Sequence, residues 1–432
     1  MSSHLSSCQA SSTDSLLVLL HTSSFAFSKA KKLSNFLQAI SSIRPNESPR
    51  LSFRLQRQYR FPCCIEEGIL RAIPTAAIRK VPLADGGEGF ALALVESAGG
   101  HIRSATVTGP TGKLISSYYG VFGNEQKTAV IEIAAAAGLS LVPPDCRNPC
   151  ITTCFGVGQL IAAALDEDVR RIIIGCGDSG TSDGGAGMLQ AIGARLIDIN
   201  GNELPQAGGG GSLLSLADID FAGFEPRLKK TRIEVVCNWQ NVLCGPYGVA
   251  RVYAPQKGAT RQQTEILATA LDIYASVAER MIGRSVSNTP GSGASGGMGT
   301  GFLLIGAELR PRYEAVMQYF NIEGLFDDCD LVITAEGAID YQTPRGKIPA
   351  EVATRARKHK KPVIVLAGSI GDNADANYDV GINAYTSILQ RPSTLDEAMD
   401  EAERLLIEGA EGAMRMVMVG RTLNSSLAWK TR

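Results

Sequence analysis

Residues 171–187 read Arg-Ile-Ile-Ile-Gly-Cys-Gly-Asp-Ser-Gly-Thr-Ser-Asp-Gly-Gly-Ala-Gly, and no other stretch limits the fold so strongly. The β-branched run Ile172, Ile173, Ile174 predicts a buried strand. It empties into a loop carrying Gly175, Gly177, Gly180, Gly184 and Gly185. The loop also holds the hydroxyls of Ser179, Thr181 and Ser182 and the carboxylates of Asp178 and Asp183. A helical pattern resumes at Met188. Glycines let backbone N–H groups approach a ligand closely, and a loop that opens a helix is a natural anion site. Carboxylates inside it need a partner, which a divalent cation or a substrate hydroxyl supplies. Strand, Gly/Ser/Thr/Asp loop, helix is the layout of a phosphate-handling enzyme. Two readings compete. Gly175-Cys176-Gly177-Asp178-Ser179-Gly180 also spells a dinucleotide fingerprint, with Asp198 near the distance for a ribose contact. The segment can equally be a structural Gly-rich turn.

The same unit recurs along the chain. Residues 78–83 predict a strand that ends in Ala84-Asp85-Gly86-Gly87-Glu88-Gly89, followed by a helix over 90–98. Strand patterns at 104–108, 114–122 and 128–133 lie close together and predict an antiparallel or mixed patch. Helices are expected over 157–165 and 265–282, and one long terminal helix over 395–418. Further strands are expected at 233–237, 331–334, 363–367 and 384–388. Four glycines at 208–211 predict a flexible loop, and 290–299 a Gly/Ser loop opening a helix. Strands alternating with helices predict parallel βαβ units, with ligands at the carboxyl ends of the strands. The text divides into a doubly wound domain over about 290–430 and a second α/β domain over about 86–283. The cleft between them is the default site.

Composition excludes several function classes. The net charge over 432 residues is −1, so no basic field favours nucleic acid and no acidic tail is present. No apolar run reaches the ~20 residues that span a bilayer. The ten cysteines are scattered, as reduced thiols are. Cys146, Cys150 and Cys154 share a spacing of four, but no histidine lies near to complete a zinc site. With four histidines (His4, His21, His101, His359), acid–base work falls to carboxylates and lysines. A cytoplasmic location is expected. Residues 1–64 differ from the rest: Ser-rich, basic, with only Asp14 and Glu47 as acids. They read as an extension from a misplaced exon boundary or, alternatively, as a mitochondrial leader.

Several longer motifs occur in one order: Val81-Pro82-Leu83-Ala84-Asp85-Gly86-Gly87-Glu88-Gly89, Gly185-Ala186-Gly187-Met188, Gly245-Pro246, Pro255-Gln256-Lys257-Gly258-Ala259-Thr260, and Asp340, Gln342, Thr343, Gly346, Lys347. In these the chain resembles the type I glycerate kinases, from about Ile65 to its C-terminus. The resemblance implies ATP-dependent phosphorylation of D-glycerate to 2-phosphoglycerate, with ATP and Mg²⁺ as cofactors. It also implies an α/β fold of two domains. One is a discontinuous flavodoxin-like parallel-sheet domain (65–84 and 289–432), and the other is an α/β domain inserted at 85–288. The chain departs from the family in four places. Nothing before Ile65 reads as the family's first strand and Pro-Asp-Ser-x-Lys-like loop. The usual Gly-Gly-Ser-Ala-Thr-Asn-Asp reads Gly177-Asp178-Ser179-Gly180-Thr181-Ser182-Asp183. A family aspartate is replaced by Asn238, and Thr-Gly-Glu-Gly reads Thr334-Ala335-Glu336-Gly337. The amide of Asn238 cannot act as a base, so a catalytically silent binding protein is the second expectation.

Phosphoryl transfer requires in-line positioning, neutralised phosphate charge and a carboxylate near the attacking hydroxyl. No Walker A sequence is present. The catalytic candidates are Asp183, Asp178, Asp340 and Lys347. Asp183 or Asp178 would orient the glycerate hydroxyl or hold Mg²⁺. Binding candidates are Asp85, Gly86, Gly87, Glu88, Ser179, Gly180, Thr181, Asn238, Gln256, Lys257, Glu336 and Gln342. Lys257 and Lys347 would neutralise phosphate or carboxylate, and Gly293, Gly296 and Gly297 would cradle the nucleotide. Asp85 can equally cap the helix after it, the lysines can be solvated surface residues, and Asp340 can be a turn residue.

Overall fold

The computed structural model describes residues 15–21, 49–84, 86–123 and 127–426. Its first half contains β1 (Ser15–His21), α1 (Pro49–Ala72), β2 (Ala77–Leu83), α2 (Phe90–Ser97), β3 (His101–Thr108), β4 (Leu114–Phe122), β5 (Thr128–Glu132), α3 (Phe155–Leu165) and β6 (Arg171–Gly175). Then follow α4 (Ala186–Ala191), β7 (Arg195–Asp198), β8 (Leu216–Asp220), β9 (Arg232–Cys237), α5 (Arg261–Ile282), α6 (Ala294–Leu304) and β10 (Glu308–Pro311). The last part holds β11 (Leu331–Ile339), α7 (Ile348–Lys358), β12 (Val363–Ile370), β13 (Ala384–Ser387) and α8 (Ala402–Ser426).

The chain forms two compact units, one from segments 1–34, 56–82 and 321–432, the other from 35–55 and 83–320. The first unit carries a five-stranded sheet ordered β13-β12-β11-β1-β2. Its β11, β12 and β13 pair in parallel, and β1 pairs in parallel with β11, Leu16 opposite Leu331 through Leu20 opposite Ala335. Ile65 and Ile69 of α1 and Leu406 and Ala410 of α8 pack in one buried cluster with Ile333 and Leu366. Burying branched aliphatic side chains on both elements is what holds these helices to the sheet.

The second unit carries a six-stranded mixed sheet ordered β10-β9-β6-β5-β4-β3. β4 runs antiparallel to both of its neighbours, β3 and β5, while β5, β6, β9 and β10 run parallel. The Ile172–Ile174 run is wholly buried as β6. This is the near-continuous apolar strand expected of a parallel sheet covered on both faces.

Four expectations need correction. The stretch before Ile65 does contribute a strand: β1 sits inside the first sheet, between β11 and the edge strand β2. The remainder of that N-terminal expectation, at 1–14 and 22–48, falls outside the described residues. Residues 289–320 belong to the second unit rather than the first. Pairing explains this, because β10 hydrogen-bonds to β9. The terminal helix is broken at Glu401, between a helix at Leu395–Asp400 and α8. A capping box at Thr394 and Glu397 starts the shorter helix. The 208–211 glycine run passes into a 3-10 helix at Gly210–Ser215.

Candidate functional site

The loop after β6 is pinned along its length by backbone hydrogen bonds. Cys176 N–H donates to Val236 O at 2.9 Å, Leu139 N–H to Asp178 O at 2.8 Å and Gly180 N–H to Ala137 O at 2.8 Å. Gly184 N–H donates to Gly296 O at 3.0 Å. The following helix does not start until Ala186. The 175–180 stretch therefore does not open a helix, as a dinucleotide fingerprint must. Asp198 is likewise engaged elsewhere: on β7 it accepts from the N–H groups of Asn200 and Asn202, each at 2.8 Å.

The Gly86–Gly89 loop lies against this loop, backbone to backbone. A Cβ on Gly177 would stand 2.5 Å from Gly87 Cα, so no larger residue fits there. Glu88 N–H donates to Asp178 Oδ2 at 3.0 Å, and Ser140 Oγ donates to Glu88 Oε1. Asp178 itself sits at φ 50, a left-handed conformation that aspartate tolerates better than most residues. Asp85 lies outside the described residues.

Two charged groups are buried inside the loop. Asp183 is 1 % exposed and Lys257 3 %. Asp183 Oδ2 accepts from Cys154 N–H at 2.8 Å, while Oδ1 has no partner. Burial raises the Asp183 carboxyl above its ordinary value, against the backbone hydrogen bonds that lower it. Lys257 donates to Ser179 Oγ at 3.1 Å and to Thr181 O at 2.5 Å. Burial brings its ammonium down to about 8, opposed by the charge of Asp183. The hydroxyls of Thr181, Ser182 and Tyr274 are also buried without a partner. Buried polar atoms are nearly always satisfied, so this loop holds oxygens suited to a hydroxyl, a water or a cation.

The nucleotide-cradle candidates face protein. At Gly296, φ is +75 and a Cβ would meet Thr181 O at 2.0 Å; at Gly293 it would meet Val242 O at 2.1 Å, and at Gly297 Gly184 Cα at 3.0 Å. These positions let the start of α6 press on the Asp183 loop. Asn238 closes its own turn, accepting from Gln240 N–H at 3.1 Å. Gln256 is exposed.

A second group lies in the first unit, beyond β11. Asp340 Oδ1 accepts from Gln342 N–H at 2.9 Å, Thr343 N–H at 3.2 Å and Lys347 Nζ at 3.4 Å. Burial would raise the Asp340 carboxyl, but the Gln342 N–H and the Lys347 charge outweigh it and hold it low. Asn377 Nδ2 donates to Asp340 O at 3.0 Å and Asn377 Oδ1 is buried without a partner. Glu336 is 7 % exposed on β11, and Gln342 Nε2 donates to Tyr341 Oη at 3.1 Å. Sequence reasoning missed Glu132 and Asn377, which read as ordinary strand and loop residues, and weighed Cys154 only as part of a cysteine cluster.

An α/β chain whose strand-end loops gather carboxylates, hydroxyls and a buried lysine is of the phosphotransferase class. The sequence profile of the glycerate kinase family matches residues 60–418. Glycerate kinase of Bacillus subtilis (strain 168) is 43 % identical over 360 residues, covering 83 % of this chain and 94 % of that protein. Glycerate 2-kinase of Escherichia coli (strain K12) is 46 % identical over 335 residues, covering 77 % and 87 %. The crystal structure of a Salmonella typhimurium LT2 protein assigned as glycerate kinase 2 superposes with a TM-score of 0.75 at 38 % identity, over 95 % of this chain and 100 % of that one. The chain belongs to the glycerate kinase family, and is an enzyme that phosphorylates glycerate.

Proposed function

We propose that the chain transfers the terminal phosphoryl group of ATP to the 2-hydroxyl of D-glycerate. The supporting observation is the buried Asp183 carboxylate in a loop anchored by Lys257, with Asp183 Oδ1 and the Thr181 and Ser182 hydroxyls left unpartnered. A small polyol acid offers the hydroxyls such oxygens lack. Asp183, whose carboxyl is already raised by burial, orients the attacking hydroxyl and accepts its proton. Lys257 supplies positive charge beside the loop. The product assignment leans on the similarity to the Escherichia coli glycerate 2-kinase.

Mg²⁺ takes one or two carboxylates together with substrate phosphates rather than a full protein cage. Each unit taken by itself offers hard oxygen donors of that kind: Asp183 in the second, Asp340 and Glu336 in the first. When bound, the ion neutralises phosphate charge. Lys347, 3.4 Å from Asp340 Oδ1, is the matching cation of the first unit. The amide at Asn238 does not disable this scheme, since its side-chain oxygen serves a turn that an aspartate oxygen would serve equally.

The deciding experiment is ADP release with ATP, Mg²⁺ and D-glycerate, with ³¹P NMR to locate the phosphate, on this chain and on Asp183→Asn. Turnover to 2-phosphoglycerate that the substitution abolishes supports the reading. A folded chain that binds glycerate without turning it over would instead be a silent relative.

A further inference from the structure

Glu132 ends β5, directly opposite Gly175 at the end of β6, and is fully buried. Its Oε2 accepts from the N–H groups of Gly89 and Ala91, each at 3.0 Å. Its Oε1 accepts from the hydroxyl of Tyr118. Both amides belong to the first turn of α2, whose N-cap is Gly89, and flank the Phe90 N–H, which donates to Gly87 O at 3.2 Å. A helix N-terminus attracts negative charge and leaves its first N–H groups without intrahelical partners. Here a protein carboxylate already fills that place. The terminus of α2 is therefore not the phosphate cradle that its strand–Gly loop–helix spelling suggests.

The same carboxylate fixes the loop in front of the helix. Gly86–Gly89 is held at two points: Glu88 N–H on Asp178 Oδ2, and Gly89 N–H on Glu132 Oε2. Just ahead of them, Gly87 lies against Gly177 and Gly86 against Gly175. The loop is therefore joined directly to the Asp178–Asp183 segment, and Glu132 ties the end of the same loop to β5. We propose that Glu132 is a positioning residue for the glycerate end of the site, acting through reach rather than charge, by holding the Gly86–Gly89 loop at a fixed height over the Asp178–Asp183 segment. The proposal rests on the reading of that segment as the glycerate site.

Two conservative variants separate reach from charge. Glu132→Asp keeps the charge and withdraws the carboxylate by one methylene. Glu132→Gln keeps the length; its amide oxygen still accepts from Gly89 and Ala91, and its NH₂ donates to Tyr118 Oη. Glycerate and ATP kinetics would be measured with thermal unfolding, and hydrogen exchange of Gly89 and Ala91 would be followed by mass spectrometry or NMR. The expected result is that folded Glu132→Asp raises the glycerate KM about tenfold or more, since small misplacements cost rate steeply. Its ATP KM stays within about twofold and its Gly89 and Ala91 amides exchange faster. Glu132→Gln stays within about fivefold of the parent, the scale of exchanging a charged for a neutral acceptor. Parent-like glycerate KM in Glu132→Asp, or a Glu132→Gln variant as impaired as Glu132→Asp, overturns the proposal. If the parent chain turns over no glycerate at all, the functional reading fails, and unchanged exchange at Gly89 and Ala91 in Glu132→Asp overturns the clamp by itself.

Discussion

The ammonium of Lys257 lies 2.5 Å from the carbonyl oxygen of Thr181, so a cation from the turn before α5 holds the backbone two residues ahead of Asp183. Burying an ammonium costs free energy unless it is well bonded, and this one donates to a hydroxyl and a carbonyl rather than to a carboxylate. A residue kept in so unfavourable a place serves the site. Lys257→Met, of similar length, should lower kcat/KM by about a hundredfold or more. Its melting temperature should shift by only about a few degrees, because removing a buried charge offsets the lost bonds. Steady-state kinetics beside a melting curve checks both. Near-normal activity would make Lys257 a scaffold residue.

The same lysine gives a pH dependence with a definite sign. Its folded value of about 8 lies below the ordinary 10.5. Below 8 both folded and unfolded chains hold the proton, and the burial penalty is fully present. Between about 8 and 10.5 the unfolded chain holds more protons, so stability rises with pH over that window. Activity that needs the charged form falls as pH rises through about 8. A kcat/KM profile in D-glycerate from pH 6 to 10 should show this descending limb, and Lys257→Met should lack it. A parent profile flat to pH 10 would remove the ammonium from the reaction.

Gly296 and Gly112 share a left-handed backbone, φ +75 and φ +78, but differ in surroundings. A Cβ at Gly112 meets nothing within 4 Å, whereas at Gly296 it meets Thr181 O at 2.0 Å. Gly112→Ala should therefore cost only the conformational strain, about 1 kcal/mol. Gly296→Ala adds a clash against backbone that Lys257 already holds, and should cost about 3 kcal/mol or more and depress turnover. Chemical denaturation of both variants measures the difference; equal losses would mean the start of α6 yields easily.

These glycines show what was legible. The 176–185 loop announced itself because polar side chains and glycines concentrate there after an apolar strand, and the antiparallel β3–β4–β5 patch was readable from its close spacing. Glu132 was not, because one carboxylate at the end of the Thr128–Glu132 strand looks like any strand terminus until Gly89 and Ala91 fold onto it. β1 was missed for a related reason. A run such as Ser15–His21 declares neither its partner nor its direction, and its pairing with Leu331–Ala335 spans more than 300 residues. The break at Glu401 escaped because apolar periodicity carries on across it. The 290–299 glycines were legible as glycines, but their neighbours turned out to be the Asp183 loop and the Val242 backbone.

Glu234 offers a stability test away from the loops. It is fully buried near the start of β9, and Arg171, the first residue of β6, grips it with Nε at 2.6 Å and Nη2 at 2.9 Å. Arg310 Nη1 at 3.0 Å and the Tyr319 hydroxyl at 2.5 Å share Oε2 with Arg171 Nη2. Burial alone would raise this carboxyl; the Arg171 fork, the Tyr319 hydroxyl and Arg310 outweigh it and hold it at about 2. A depressed carboxylate contributes stability above its ordinary value of 4.5 and loses it as pH falls from there towards 2. Glu234→Ala should cost about 3–5 kcal/mol, because it strands two guanidinium groups. It should also flatten the acid limb of the stability curve between pH 4.5 and 2. Arg171 begins the strand whose far end carries the Asp183 loop, so the variant that remains folded should keep the parent glycerate KM. Urea unfolding across that pH range, with kinetics at pH 7, checks both halves. A raised glycerate KM would show that the Glu234 cluster and the loop are mechanically coupled through β6.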